Sequence, residues 1–156
     1  MPKLPQRERL FHLPPAWVQN DSLFFITVCC NVREKNQLNN RVVFSAIAKS
    51  ISHYAESGKW HVESFLAMPD HWHALIAFHD LVQMEKVIRD WKRYIAKQTG
   101  VIWQDGFFEH RLRSRQSAEE KWHYILQNPV RKGFVTDPKD WPYIWLPASV
   151  GRADYP

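Results

Sequence analysis

The sequence predicts an α+β domain of ferredoxin-like form: a β-α-β-β-α-β antiparallel sheet with helices on one face, followed by a C-terminal helix and tail. Three observations carry this. Short runs rich in β-branched and aromatic residues alternate with stretches whose apolar positions recur at helical spacing. Two of the strand-like runs are separated only by a Pro-Asp break, which makes them a hairpin. The chain has 156 residues, 45% of them hydrophobic, which suits one compact domain over 1–156 with no linker or internal repeat.

Taken in order, residues 1–20 hold four prolines and no sustained period, and read as an extended arm tied down by Leu10, Phe11 and Trp17. "SLFFITVCC", Ser22 to Cys30, is a buried strand. In "RVVFSAIAKSISHYAES" the positions Val43, Ile47, Ile51 and Tyr54 mark a helix stopped at Gly58. "KWHVESFLAM" and "HWHALIAF" flank Pro69-Asp70 as the hairpin. From Leu81 to about Gln98, Met84, Val87, Ile88, Trp91 and Ile95 form the stripe of a second helix, closed by Thr99-Gly100. "VIWQDGFFEHRLRS" holds a turn at Asp105-Gly106 and a short strand. Residues 117–156 form the C-terminal helix and tail. That helix has Ser117 as N-cap, Glu120 in capping-box register and an end at Asn128-Pro129.

Composition narrows the partners. Lys and Arg outnumber Asp and Glu by 21 to 16 and eight Trp are present, so the surface attracts polyanions and carries aromatic faces that can stack bases. Nucleic acid is the first partner to consider. The two cysteines, Cys29 and Cys30, are adjacent in a strand and face opposite ways, which disfavours a disulfide between them and fits a reducing cytoplasm. The charged, proline-punctuated start is unlike a signal peptide, and no run approaches membrane-spanning length.

The candidate chemistry begins at "MPDHWHALI". Residues two apart on a strand share a face, so His71 and His73 stand together while Trp72 points the other way. Two imidazoles make a two-point metal ligand that needs a third donor while leaving positions open. On the following helix Tyr94 and Gln98 are four apart and share one edge. If the helix stripe packs on the face holding the histidines, both can reach the same pocket. Lys92, Arg93 and Lys97 lie around the opposite side, where they can meet phosphates.

"MPDHWH", a helix containing "WKRY", then "WQDGFFEHRLRS" and "YILQNPVRKGFV" resemble, in this order, the Y1 transposases of the HUH class, particularly the REP-associated tyrosine transposases. The likeness spans roughly Phe24 to Trp145. It implies the same ferredoxin-like fold, with His71 and His73 as ligands of Mg²⁺ or Mn²⁺, Tyr94 as nucleophile and Gln98 as third ligand. Trp72 fills the bulky apolar slot between the histidines. Asp70 stands where an asparagine is frequent, a departure that leaves the turn intact. His110 is a further candidate ligand or DNA contact.

The implied activity is metal-dependent cleavage and rejoining of single-stranded DNA at REP-type hairpins through a 5′-phosphotyrosine intermediate. Arg93, Lys97, Arg111, Arg113, Arg115, Arg131 and Lys132 are candidate phosphate contacts. The protein is expected in the cytoplasm, off the membrane, as a monomer or homodimer. Two other readings stay open: a hairpin-binding module without catalysis, and a zinc-type hydrolase using the two histidines.

Overall fold

The computed structural model describes residues 17–18, 22–148 and 150. Strand β1 (Leu23–Cys29) leads into helix α1 (Arg41–Glu56), then come β2 (Trp60–Ala67), β3 (His71–Phe78), α2 (Met84–Thr99), β4 (Phe108–Leu112), α3 (Arg115–Arg131) and β5 (Ile144–Trp145). The sheet order is β4-β1-β3-β2-β5 and every pairing is antiparallel. The ferredoxin-like expectation holds, with β2 and β3 as the expected hairpin.

One sheet face is sealed by α1 and α2. Phe24, Ile26 and Val28 of β1 and Trp72, Ala74 and Ile76 of β3 alternate onto it and join the apolar stripes of both helices in one core. At its centre Trp72 stacks on Phe65 with ring centroids 4.6 Å apart and meets Trp91 of α2 edge-on at 5.3 Å. The Trp91 indole N–H donates to Ser50 Oγ of α1 at 2.8 Å, so the polar atom of this buried ring is satisfied. The helix stripes read from the sequence are the buried ones: Val43, Ile47, Ile51 and Tyr54 in α1, and Met84, Val87, Ile88, Trp91 and Ile95 in α2.

The C-terminal helix does not join that layer. It lies on the opposite sheet face, where Ala118, Trp122, Ile125 and Leu126 pack with Leu23, Leu75, Ala77 and Leu112. Its ends differ from expectation. Ser114, not Ser117, is the N-cap, accepting the Ser117 N–H at 3.1 Å. The helix also runs past Pro129 to Arg131: the proline forfeits the bond to the Ile125 carbonyl, and the Lys132 N–H still donates to Asn128 O at 3.0 Å to complete the last turn. It stops in a Schellman arrangement, with Phe134 N–H donating to Pro129 O and Gly133 N–H to Val130 O, for which Gly133 takes φ +78.

The tail returns along the sheet as β5 beside β2, an edge strand of two residues that the sequence reading does not contain. Trp141 anchors it, donating its indole N–H to Ala67 O at 3.1 Å. Of the N-terminal arm, Leu10 and Phe11 lie outside the described residues. Trp17 meets His79 edge-on at 5.1 Å. Cys29 and Cys30 are free thiols, and burial followed by the charge of Asp70 pushes the Cys30 thiol up to about 12. Among the described residues no helix is long and apolar enough to cross a membrane.

Candidate active site

His71 and His73 project from β3 onto the face that α1 and α2 do not cover. The register fixes this: β1 residues Cys29 and Thr27 lie opposite them, and Trp72 between them is locked into the sealed core. The two rings are 4.9 Å apart, edge to face.

Each imidazole is held by its Nδ1. His71 Nδ1–H donates to Asp70 Oδ1 at 2.8 Å, and His73 Nδ1 is 2.7 Å from Thr27 Oγ1. Asp70 is fixed in turn by the Glu34 N–H at 2.8 Å and by Arg33 Nε at 3.1 Å. Glu34 adopts φ +68 where this contact is made. Burial raises the Asp70 pKa, but the hydrogen bonds from His71 and Glu34 and the Arg33 charge outweigh it and hold the carboxyl below its usual range.

Both histidines are kept neutral. Burial pushes His73 down to about 3, helped by His71, Arg131, Lys121 and Arg33. Burial also lowers His71, against the pull of Asp70. A neutral imidazole can ligate a divalent ion; at His71 the Nδ1–H bond to Asp70 leaves the lone pair on Nε2, and His73 matches it in the tautomer whose Nδ1–H donates to Thr27 Oγ1.

Helix α3 supplies the rest. The Tyr124 ring lies 6.2 Å from His73 and 6.0 Å from Phe25, which itself stacks on His73 at 5.2 Å. Tyr124 stays 43% exposed. Arg131 covers its ring at 4.1 Å and donates to the Tyr124 carbonyl at 2.8 Å, and Lys121 sits 5.1 Å from the same ring. Asn128, one turn beyond Tyr124 on the same helix face, is 4% exposed. Lys132, a further turn on, is close enough to lower the His71 pKa. Asn128 is thus bracketed by a residue at His73 and one at His71. Among the described residues no third His, Cys, Asp or Glu joins the imidazoles.

The expected nucleophile and third ligand are elsewhere. Tyr94 and Gln98 lie on the outer surface of α2, Tyr94 being 45% exposed, with the whole sheet between them and the histidines. The reason is the packing of Trp91 against Trp72: the α2 stripe meets the sheet face that carries Trp72, and the histidines point the other way. Tyr94 instead neighbours Tyr54 of α1, whose pKa is raised by burial, then by Asp90 and Tyr94.

The cations divide similarly. Arg131 and Lys132 stand at the histidines. Arg113 and Arg115 are exposed where β4 passes into α3, and His110 is exposed on the site face opposite Phe25. Arg93 and Lys97 are exposed on α2, and Arg111 lies 5.9 Å from the Phe24 ring on the sealed side. Lys92 does not face solvent phosphates, since its ammonium donates to the Gln104 and Gly106 carbonyls at 2.7 and 2.8 Å. Sequence reasoning missed Tyr124, Asn128, Lys121, Thr27 and Arg33. The signal for the first two stood in "YILQNP", a tyrosine and an amide at the same four-residue spacing as Tyr94 and Gln98.

Known proteins resemble this one over most of its length. A provisionally assigned REP-associated tyrosine transposase of Haemophilus influenzae is 27% identical over 153 residues, covering 86% of this chain and 85% of its own. The REP-associated tyrosine transposase of Escherichia coli K12 is 24% identical over 136 residues, with 85% and 81% covered. The same fold occurs in a solved structure of a REP-associated tyrosine transposase bound to a REP hairpin, with a TM-score of 0.72, 24% identity, and 88% of this chain and 84% of that one covered. The family model described as "Transposase IS200 like" matches residues 21–128, and the chain therefore belongs to the IS200-like, or Y1, transposase family.

Proposed function

We propose that this protein cleaves and rejoins single-stranded DNA beside a REP-type hairpin, with Tyr124 as the nucleophile. The observation that carries the reading is the meeting of Tyr124 with His73 at 6.2 Å on the open sheet face, beside two imidazoles whose Nδ1 atoms are both engaged. Relatives named as REP-associated tyrosine transposases, and a fold neighbour named as bound to a REP hairpin, support the choice of DNA.

His71, His73 and Asn128 would hold a divalent cation, Mg²⁺ or Mn²⁺. When bound, such an ion polarises and orients a non-bridging oxygen of the scissile phosphate. The chain's own residues do the remainder. Lys121, Arg131 and Lys132 border the site and offset the charge of the incoming phosphodiester. Arg131, stacked on the Tyr124 ring and bonded to its carbonyl, fixes the side chain that must approach phosphorus. The Tyr124 oxygen forms a bond to phosphorus and gives its proton to solvent, while the bond to the 3′ oxygen breaks and that oxygen takes up a proton from solvent. The products are a 5′-phosphotyrosine and a free 3′-hydroxyl, and attack by another 3′-hydroxyl reverses the step on a new strand. The phosphoester bond count is conserved, so rejoining needs no outside energy source.

The test is incubation of the protein with an end-labelled hairpin bearing a single-stranded tail, with Mn²⁺, followed by a denaturing gel. A labelled protein band that disappears in Tyr124→Phe while hairpin binding persists is the expected result. Binding by the native protein without any such band would replace this reading with a hairpin-binding module that lacks catalysis.

A further inference from the structure

The open end of the site face carries an aromatic side chain that neither core uses. Consecutive phenylalanines after the Gly106 turn point opposite ways: Phe107 packs against the sealed core, and Phe108 is 69% exposed. The register puts Phe108 on the histidine side, opposite Thr27, which is itself opposite His73 and within hydrogen-bond distance of it. Phe108 is therefore two strands across from a proposed metal ligand, about 10 Å at ordinary strand spacing. That is the reach from a phosphate to the base of an adjoining nucleotide.

Nothing covers this end among the described residues. Helix α3 crosses from Leu112 towards His71, leaving Thr27 and Cys29 half-buried and Phe108 and His110 exposed. The shelf is also fixed in place. Lys92 of α2 grips the Gln104 and Gly106 carbonyls, and the Trp103 indole N–H donates to the Lys92 carbonyl at 2.9 Å, so the turn before Phe108 is tied to the rigid layer beneath. A second copy of the chain is a poor occupant, because β4 is an edge strand carrying Glu109 and Arg111, charges that discourage pairing with another strand.

We propose that Phe108 is a stacking platform for an unpaired nucleobase next to the phosphate held at His71, His73 and Tyr124. This rests on the function proposed above and adds to it the position of a base. Stacking on a phenyl ring tolerates any base, so the platform would align the strand rather than read its sequence.

The test compares the native protein with Phe108→Ala and Phe108→Trp, measuring affinity for a hairpin with a single-stranded tail and for the same hairpin cut blunt. Phe108→Ala should weaken tailed binding roughly 5- to 100-fold, leave blunt binding unchanged, and be rescued by Phe108→Trp. Photo-crosslinking a tail in which 5-iodouracil replaces successive bases should attach one position to Phe108. Equal affinity of Phe108→Ala for the tailed hairpin, an equal loss for both hairpins, or dissociation of a native dimer by this substitution would each overturn the proposal. The Tyr124 adduct assay separates the two claims. An adduct with an indifferent Phe108 removes the platform alone, whereas a crosslink at Phe108 without an adduct removes the chemistry alone.

Discussion

Helices α2 and α3 each carry a tyrosine with an amide one turn further on, Tyr94 with Gln98 and Tyr124 with Asn128, yet they lie on opposite faces of one sheet. On the α2 side, Trp60, Phe65, Trp72 and Trp91 fill the space between helix and strands, so the tyrosine is left on the outer surface. On the α3 side the strands present imidazoles and a threonine instead of indoles. The helix seals only part of the face, and its tyrosine meets a histidine at the boundary. Identical spacing on a helix therefore means different things, decided by which strand residues lie underneath.

Exchanging the hydroxyl of each tyrosine for hydrogen separates the two helices most strongly. Tyr124→Phe should reduce covalent DNA attachment by a factor on the order of 10⁴ or more, since it removes the oxygen proposed to bond phosphorus. Tyr94→Phe should leave the rate within about twofold, read from the same denaturing gel. Trp91→Ala attacks the sealed face itself and should lower unfolding free energy by roughly 3–5 kcal/mol in urea titrations, because it empties the centre of the core and takes the indole donor from Ser50 Oγ, which keeps only its bond to the Ile47 carbonyl.

A smaller effect is expected one shell out from the imidazoles. Asp70→Asn keeps the shape of the turn but removes the carboxylate that orients His71, and should raise the Mn²⁺ concentration for half-maximal activity roughly 10- to 100-fold. Unchanged metal dependence would remove Asp70 from the account. The mildest probe is alkylation of the native protein with a maleimide. Cys29, half-buried on the site face opposite His71, should react and be protected by bound DNA, while buried Cys30, with its thiol pushed up to about 12, should not react until the protein unfolds.

Much of this architecture is legible in the sequence because it follows from local periodicity. The apolar stripes of α1 and α2, the hairpin at Pro69-Asp70 and the common face of His71 and His73 all depend on spacings of two, three or four residues. What fails is the assignment of helices to faces, which is a tertiary matter. A clue was nonetheless present: Trp72, Ala74 and Ile76 are the apolar set of β3, so the helix layer should cover them and leave His71 and His73 on the other side. Reading Pro129 as a stop also ends α3 before the turn that carries Arg131 over Tyr124. The two-residue β5 has too little pattern to detect, being held by Trp141 and by pairing with β2. Ser117 yields the N-cap to Ser114, which has no Glu or Gln three residues on but whose hydroxyl accepts the Ser117 N–H and starts the helix one turn earlier.

The proposed function takes the reacting phenol from α3 and not from α2. It is tested most directly by trapping the covalent DNA adduct of the native protein, digesting both protein and DNA, and locating the modified tyrosine by mass spectrometry. A nucleotide phosphate is expected on the peptide containing Tyr124, with the peptide containing Tyr94 unmodified. A phosphate on Tyr94, or an adduct that survives Tyr124→Phe, would contradict it.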